Sequence, residues 1–211
     1  MTLVLDLDGT LISSTERCTR LFCELARVSY AEYSTVYLNS KARGLSNSEI
    51  LSRSKLLPAE SFLEFNRLWM EAVESPELLK LDTLEPGVTE WLRQASSETD
   101  LVMCTSRQSS HLALKQVADF GISNFFTAVL VTEQKMSKAE AVINSGLRYT
   151  PEDWMIGDSP EDIEQGKKLG MNTCSVLSGF RDEATLAAYG PDLVVSGVCS
   201  LTVRSGKISL I

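Results

Sequence analysis

The residues best equipped for chemistry are Asp6 and Asp8, in the stretch Thr2-Leu3-Val4-Leu5-Asp6-Leu7-Asp8-Gly9-Thr10. The apolar run before them has strand character, and residues two apart on a strand project to the same side. Two carboxylates at a strand end, leading into a Gly-Thr turn, are poor packing residues, because an unpaired buried carboxylate is costly. They suit a hard divalent cation such as Mg²⁺, which takes one or two carboxylates together with water and phosphate oxygens. With its charge screened, one aspartate can attack phosphorus and become an aspartyl-phosphate. The other can pass a proton to a leaving group and later take one from water. A calcium loop is the competing reading. It needs acids or amides at alternate positions and a glutamate at the twelfth, whereas Leu11, Ile12, Ser13 and Ser14 follow here.

Such a pair needs a frame. Cys18, Leu21, Phe22, Leu25 and Val28 fall at helical spacing over residues 15–29. Pro58 opens a second amphipathic segment, with Phe62, Phe65, Leu68, Trp69 and Val73 on one stripe that reads as core. Between them, Lys41-Ala42-Arg43-Gly44-Leu45-Ser46-Asn47-Ser48-Glu49 forms a loop leading into a helix. Residues 13–84 therefore read as a small all-helical insert, and residues 1–12 with 85–211 as the core that carries it. From Pro86-Gly87 onward, strands expected near 101–104, 126–131, 154–156, 173–177 and 192–196 alternate with helices at 109–119, 137–145, 161–169 and 181–189. That alternation predicts an α/β fold with a doubly wound, Rossmann-like parallel sheet. Leu201 to Ile211 reads as a terminal β-hairpin that closes the sheet edge.

In such a sheet, ligands sit at the carboxyl ends of the strands. The first strand delivers Asp6 and Asp8 there. A second delivers Thr105 and Ser106, and Lys135 and Lys138 flank the start of the helix at 137. The strand before Gly157-Asp158-Ser159-Pro160-Glu161-Asp162 delivers Asp158 and, one helical turn on, Asp162. Acids, hydroxyls and a lysine from independent strand ends are the parts of a phosphoryl-transfer site. Each has a plainer reading alone. Thr105 and Ser106, or Asp158 and Ser159, are good helix N-caps, and a first-turn lysine is usually solvated. The joint pattern favours chemistry.

The chain has 211 residues, 44% of them hydrophobic, with room for one sizeable core. No run approaches the roughly 20 apolar residues of a membrane span, and the N-terminus lacks the basic region and cleavage site of an export signal. The net charge of −8 argues against nucleic acid as a partner. The charge is uneven. Over residues 17–55, Arg17, Arg20, Arg27, Lys41, Arg43, Arg53 and Lys55 face only Glu24, Glu32 and Glu49. Seven against three reads as a solvated helical surface or as a basic rim for an anionic substrate. Cys18, Cys23, Cys104, Cys174 and Cys199 have no Cys-x-x-Cys spacing, and His111 is the single histidine. A zinc site or a Cys/His nucleophile is thereby disfavoured. Cys104, Cys174 and Cys199 lie in apolar stretches and read as small core residues. Free thiols fit a cytoplasmic protein.

The chain resembles the haloacid dehalogenase-like hydrolases over nearly its whole length. Asp6-Leu7-Asp8-Gly9-Thr10 is similar to that family's first motif and Thr105 to its second. A lysine at 135–138 is similar to the third, and Gly157-Asp158-Ser159-Pro160-Glu161-Asp162 to the fourth. The first and fourth are specific; the second and third are short. The resemblance implies Asp6 as nucleophile and Asp8 as acid/base. It implies that Thr105, Ser106 and a lysine hold the phosphate. It further implies Mg²⁺ held by Asp6, the Asp8 carbonyl and Asp158, with Asp162 in support. Lys138 is favoured over Lys135, because Ser137-Lys138-Ala139-Glu140 opens a helix whose N-terminus should face the phosphate. The insert is similar to the family's small helical cap, where Arg43 is the favoured substrate contact. Because an alkoxide leaving group needs a proton and a halide does not, Asp8 favours phosphate monoesters. The expectation is a Mg²⁺-dependent phosphatase acting on a small phosphorylated metabolite of phosphoglycolate or sugar-phosphate type. The alternatives are a sugar phosphomutase of the same family and a phosphate-binding, receiver-like module. A receiver carries its phosphoacceptor on a middle strand of the sequence and has no insert.

Overall fold

A computed structural model describes residues 1–204 and 206–210. The short apolar runs foreseen as strands build one six-stranded sheet. It comprises β1 (Thr2–Leu5), β4 (Asp100–Thr105), β5 (Ala128–Val131), β6 (Trp154–Gly157), β7 (Asn172–Val176) and β8 (Leu193–Val195). All neighbours are parallel, in the order β5-β4-β1-β6-β7-β8. Leu3 and Leu5 join one core, while Val4 between them joins the other. On β4, Leu101 and Met103 alternate with Val102 and Cys104 in the same way. A strand buried on both faces must be apolar at successive positions, which is why these runs do not alternate with polar residues.

Helices cover both faces. One layer includes α6 (Val88–Glu98), whose Trp91 and Leu92 pack on Leu3 and Leu5 in a shared core. The other includes α8 (Lys138–Asn144), whose Ala139 and Val142 meet Val4 and Met155. The connections α7 (Ser110–Asp119), α9 (Pro160–Lys168) and α10 (Glu183–Ala187) complete the winding. From β1 the chain runs outward through β4 and β5, then returns to β6 on the far side of β1. This reversal opens a crevice at the carboxyl ends of β1, β4 and β6, where doubly wound sheets bind ligands.

The segment between β2 (Ile12–Ser13) and β3 (Thr83–Leu84) is helical: α1 (Thr15–Leu25), α2 (Tyr30–Ala42), α3 (Asn47–Arg53), α4 (Phe62–Ala72) and α5 (Pro76–Leu79). The α2 helix was not foreseen from sequence, because its buried residues are few and show no clear stripe. These helices own a separate core around Phe22, Tyr37, Ile50, Leu51 and Phe65. Phe22 lies 4.5 Å from Tyr37 and 5.7 Å from Phe65, ring to ring. Trp69, read as core, is half-buried: it stacks on Phe65 at 6.2 Å, against that core, and also lines the cleft beside the sheet. β2 and β3 pair antiparallel, so the chain leaves and re-enters the sheet layer side by side.

The C-terminal hairpin forms as foreseen, from β9 (Leu201–Arg204) and β10 (Lys207–Leu210). Ser205 and Ile211 lie outside the described residues. The hairpin does not close the sheet edge, contrary to expectation. It forms its own two-stranded sheet and packs beside α6, where Trp91 Nε1 donates to the Leu201 carbonyl at 2.8 Å. Cys104 and Cys174 are buried as expected, but Cys199 is half-buried and Cys23 is the further buried thiol. Among the described residues no helix is long and apolar enough to cross a membrane.

Candidate active site

Asp6 follows β1 directly, and its backbone N–H extends the sheet by donating to the Ile156 carbonyl. Its carboxylate is 7% exposed at the crevice floor. Lys138, the first residue of α8, reaches it with Nζ 2.5 Å from Asp6 Oδ1 and 2.6 Å from Asp162 Oδ1. Lys138 is thus buried and bridges two acids, whereas Lys135 is exposed and pairs with Glu133. Burial works against the lysine's charge, but Asp162 and Asp6 outweigh it and hold Lys138 protonated. Burial pushes Asp6 well above the usual carboxylate range, with Lys138 opposing the rise.

The turn after Asp6 is tight. Leu11 and Ile12 both donate to the Leu7 carbonyl, and Gly9 donates to Ile12. Gly9 has φ +80°, and a Cβ there would stand 2.5 Å from Asp158 Oδ2. A Cβ on Gly179 would stand 1.9 Å from the same oxygen. Both glycines therefore make the space that Asp158 occupies at the end of β6. The Phe180 N–H donates to Asp158 Oδ2 at 3.2 Å. Burial, then the charge of Asp162, raise Asp158 to about 7.

Carboxylate oxygens of Asp6, Asp158 and Asp162 lie within 4.8 Å of one another. Three buried acids this close repel unless a cation joins them, so the cluster fits a divalent metal. Lys138 already neutralises Asp162, whose other oxygen accepts from Ser159 in the capping box of α9. Asp6 and Asp158 are the two left to hold a metal. The Asp8 carboxylate is outside this cluster among the described residues.

Asp8 points into a different network. Arg107 grips it in a fork, Nε to Oδ2 at 2.5 Å and Nη2 to Oδ1 at 2.8 Å. Arg17 Nη2 lies 2.5 Å from Oδ1. Both arginines also meet Asp82, at 2.9 Å and 3.2 Å, and Gln116 donates to Asp82 at 2.9 Å. The result is a quartet of two arginines and two aspartates, neutral overall. Burial would raise Asp8, but Arg107 and Arg17 prevail and hold its carboxyl below the usual range. Asp8 keeps 26% of its side chain open to the cleft; Asp82 keeps none.

Thr105 ends β4 and is buried, and both it and Ser106 line the cleft. Neither caps α7; Ser109 does, accepting from the Leu112 N–H. Ser106 Oγ donates weakly to Glu161 at 3.4 Å. Arg43 is exposed, donates to the Asn39 carbonyl of its own helix, and is not on the cleft wall. The helix turn aims it outward, and Lys41 two residues earlier lines the cleft in its place. Sequence reasoning missed Arg107 and Arg17 as partners of Asp8, and Asp82 altogether. Arg107 adjoins the Thr105-Ser106 turn and was the legible signal; nothing local marks Asp82.

The fold and this strand-end constellation define a doubly wound α/β protein with a buried carboxylate cluster at its strand ends and a helical insert. Residues 3–176 match the family described as haloacid dehalogenase-like hydrolase, so the chain belongs to it. Solved structures agree on the fold. A haloacid dehalogenase-like hydrolase from Streptococcus pneumoniae is 19% identical, with a TM-score of 0.72 over 94% of each chain. A predicted phosphoglycolate phosphatase from Haemophilus somnus is 19% identical, with a TM-score of 0.70 over 94% of this chain and 95% of that one. A hydrolase assigned to the family from Bacillus subtilis, bound to magnesium, is 21% identical, with a TM-score of 0.62 over 93% and 94%.

Proposed function

We propose that this protein is a Mg²⁺-dependent phosphatase of small phosphate monoesters, working through an aspartyl-phosphate on Asp6. The observation that carries this reading is the buried Asp6 carboxylate. One oxygen is held by Lys138 and Asp158 lies beside it, at the crevice where the sheet order reverses. Asp6 and Asp158, with the Asp8 carbonyl, would hold Mg²⁺, which screens the nucleophile's charge and that of the phosphoryl oxygens.

In this reading Asp6 Oδ2, left free by Lys138, forms a bond to phosphorus as the ester P–O bond breaks. Asp8 gives its proton to the departing alkoxide. Water then attacks the acyl phosphate, Asp8 takes the water's proton, and Asp6 is restored as inorganic phosphate leaves. Thr105, Ser106 and Lys138 hold the non-reacting oxygens. The arginine fork favours ionised Asp8, the form the second half-reaction needs; the proton Asp8 gives in the first is the one it took from water in the turnover before, and the fork makes it readily given. Residues 13–84 act as the cap that closes over the crevice. The cleft measures about 320 Å³, at the small end for ligand sites, which supports a small metabolite rather than a macromolecular partner. The free cysteines support a reducing, cytoplasmic setting.

The test is phosphate release from a panel of small phosphomonoesters, with Mg²⁺ and with chelator. Release that requires Mg²⁺ is expected. Asp6→Asn should lower it by about a thousandfold or more, the usual scale for a lost nucleophile, with the fold retained by circular dichroism. Near-normal turnover in that variant would sink the covalent route.

A further inference from the structure

Two cations on the cleft wall have no part in the phosphoryl site. Lys41 lies in the last turn of α2, and Arg181 in the segment between β7 and α10; both face the space that Asp6 opens into. The other cations there are matched. Arg17 and Arg107 are neutralised by Asp8 and Asp82, and Lys138 by Asp6 and Asp162. Among the described residues no carboxylate comes within 4.0 Å of Lys41 or Arg181.

The backbone brings the two together. Arg181 Nη1 donates to the Lys41 carbonyl at 2.5 Å, the Asp182 N–H donates to the Ala42 carbonyl, and Thr185 Oγ1 donates to that same carbonyl. The segment 181–185 thus caps the C-terminal carbonyls of α2 and fixes two positive side chains at one edge of the cleft. Capping occupies one Arg181 nitrogen and leaves the Lys41 ammonium without an acceptor. Like charges on one half-buried wall repel. Burial, then the charge of Arg181, push Lys41 down to about 8, against the weaker pull of Cys18, Glu49 and Asp158. In a chain with eight net negative charges, this unmatched pair stands out. Tyr37, Trp69 and Phe180 form the half-buried or buried walls around it.

We infer that Lys41 and Arg181 form a subsite for a second anionic group, a carboxylate or a second phosphate, on the leaving portion of the substrate. The inference rests on the phosphatase reading and narrows its substrate class to phosphate esters that carry a further negative charge. It assigns the pair to the leaving portion because Lys41 comes from the insert and the segment carrying Arg181 is hydrogen-bonded to that same helix, whereas Thr105, Ser106 and Lys138 come from the sheet and α8.

The test compares phosphoglycolate, fructose 1,6-bisphosphate, glycerol 3-phosphate and p-nitrophenyl phosphate as substrates of wild type, Lys41→Met, Lys41→Arg and Arg181→Gln. Wild type should favour one of the two charged leaving groups over the uncharged ones by about tenfold or more in kcat/KM, the scale of one charge-assisted hydrogen bond. Lys41→Met and Arg181→Gln should erase that preference through KM, and Lys41→Arg should keep most of it. Whether phosphoglycolate or the bisphosphate is favoured tells a carboxylate from a phosphate. Equal losses on all four esters, or a wild-type preference for uncharged leaving groups, would overturn the subsite. If no ester is turned over with Mg²⁺, the phosphatase reading fails, and calorimetric titration with malonate and pyrophosphate decides the subsite alone. Binding that weakens about tenfold in Lys41→Met upholds it; absent binding, or binding equal in wild type and variant, overturns it.

Discussion

At the scale of residues, the two aspartates two positions apart have unlike surroundings. Asp6 meets one lysine and two acids, while Asp8 meets two arginines and one acid. Their proton affinities are pushed in opposite directions, Asp6 up and Asp8 down. Opposed environments for paired carboxylates are how one fold assigns separate roles to them. Lys138 was only favoured over Lys135, while Asp6, Thr105 and Asp158 could be read from their places at strand ends and Asp162 from the helix turn after β6. The fork on Asp8 could not, since Arg107 is 99 residues away and Asp82 is 65 from Arg17. Asp82 is the member with no exposed surface, so its loss leaves two buried guanidinium groups facing one carboxylate. Asp82→Ala should cost about 3–5 kcal/mol, read from urea midpoints. Asp8→Asn should cost less, because its side chain opens to the cleft. Negligible costs for both would show that the quartet adds nothing to stability, and equal large costs that the opening of Asp8 to the cleft does not spare it.

At the scale of elements, side chains tie the insert to the loops at the carboxyl ends of the strands, away from the β2 and β3 crossings. Glu74, just after α4, accepts from the Gln108 N–H at 2.7 Å and the Ser109 N–H at 3.1 Å, at the start of α7. Arg17, on α1, donates to the Val73 carbonyl at 2.8 Å while gripping Asp8. These contacts link the insert to the turn that carries Thr105 and Arg107. Glu74→Ala would strand two N–H groups, at about 2 kcal/mol, and loosen that turn. We expect a lower urea midpoint together with slower phosphate release; a stability loss with unchanged turnover would separate the tie from the site. Strong periodicity made α1 and α4 legible. The α2 helix and the two-residue strands β2 and β3 were not, because a helix with few buried residues and a strand of two residues leave no pattern to count.

At the scale of the whole molecule, the buried acid cluster makes stability depend on pH and metal together. Asp158 has an ordinary value of 3.8 and is raised to about 7. Between those values the folded chain keeps a proton that the unfolded chain has released, so stability falls as pH rises through that window. Asp6, also raised, acts in the same sense. Asp8 and Glu133, held low, are ionised in both states above about pH 5 and add no slope there. The metal-free melting temperature should fall by several degrees between about pH 5.5 and pH 8. Added Mg²⁺ should raise it more at the higher pH, where the ligands are ionised. A flat metal-free profile, measured by thermal scanning, would count against a repelling cluster. The sequence by itself determined the winding of the sheet, the strand-end residues and the helical insert. Those follow from short-range patterns: apolar runs, turn residues and helical spacing. Only the tertiary structure decided which lysine meets Asp6, that two arginines clamp Asp8, that Arg43 turns outward and that Lys41 meets Arg181. Each of those depends on where side chains far apart in the chain come to rest, and the charge balance of a buried site is settled only when they do.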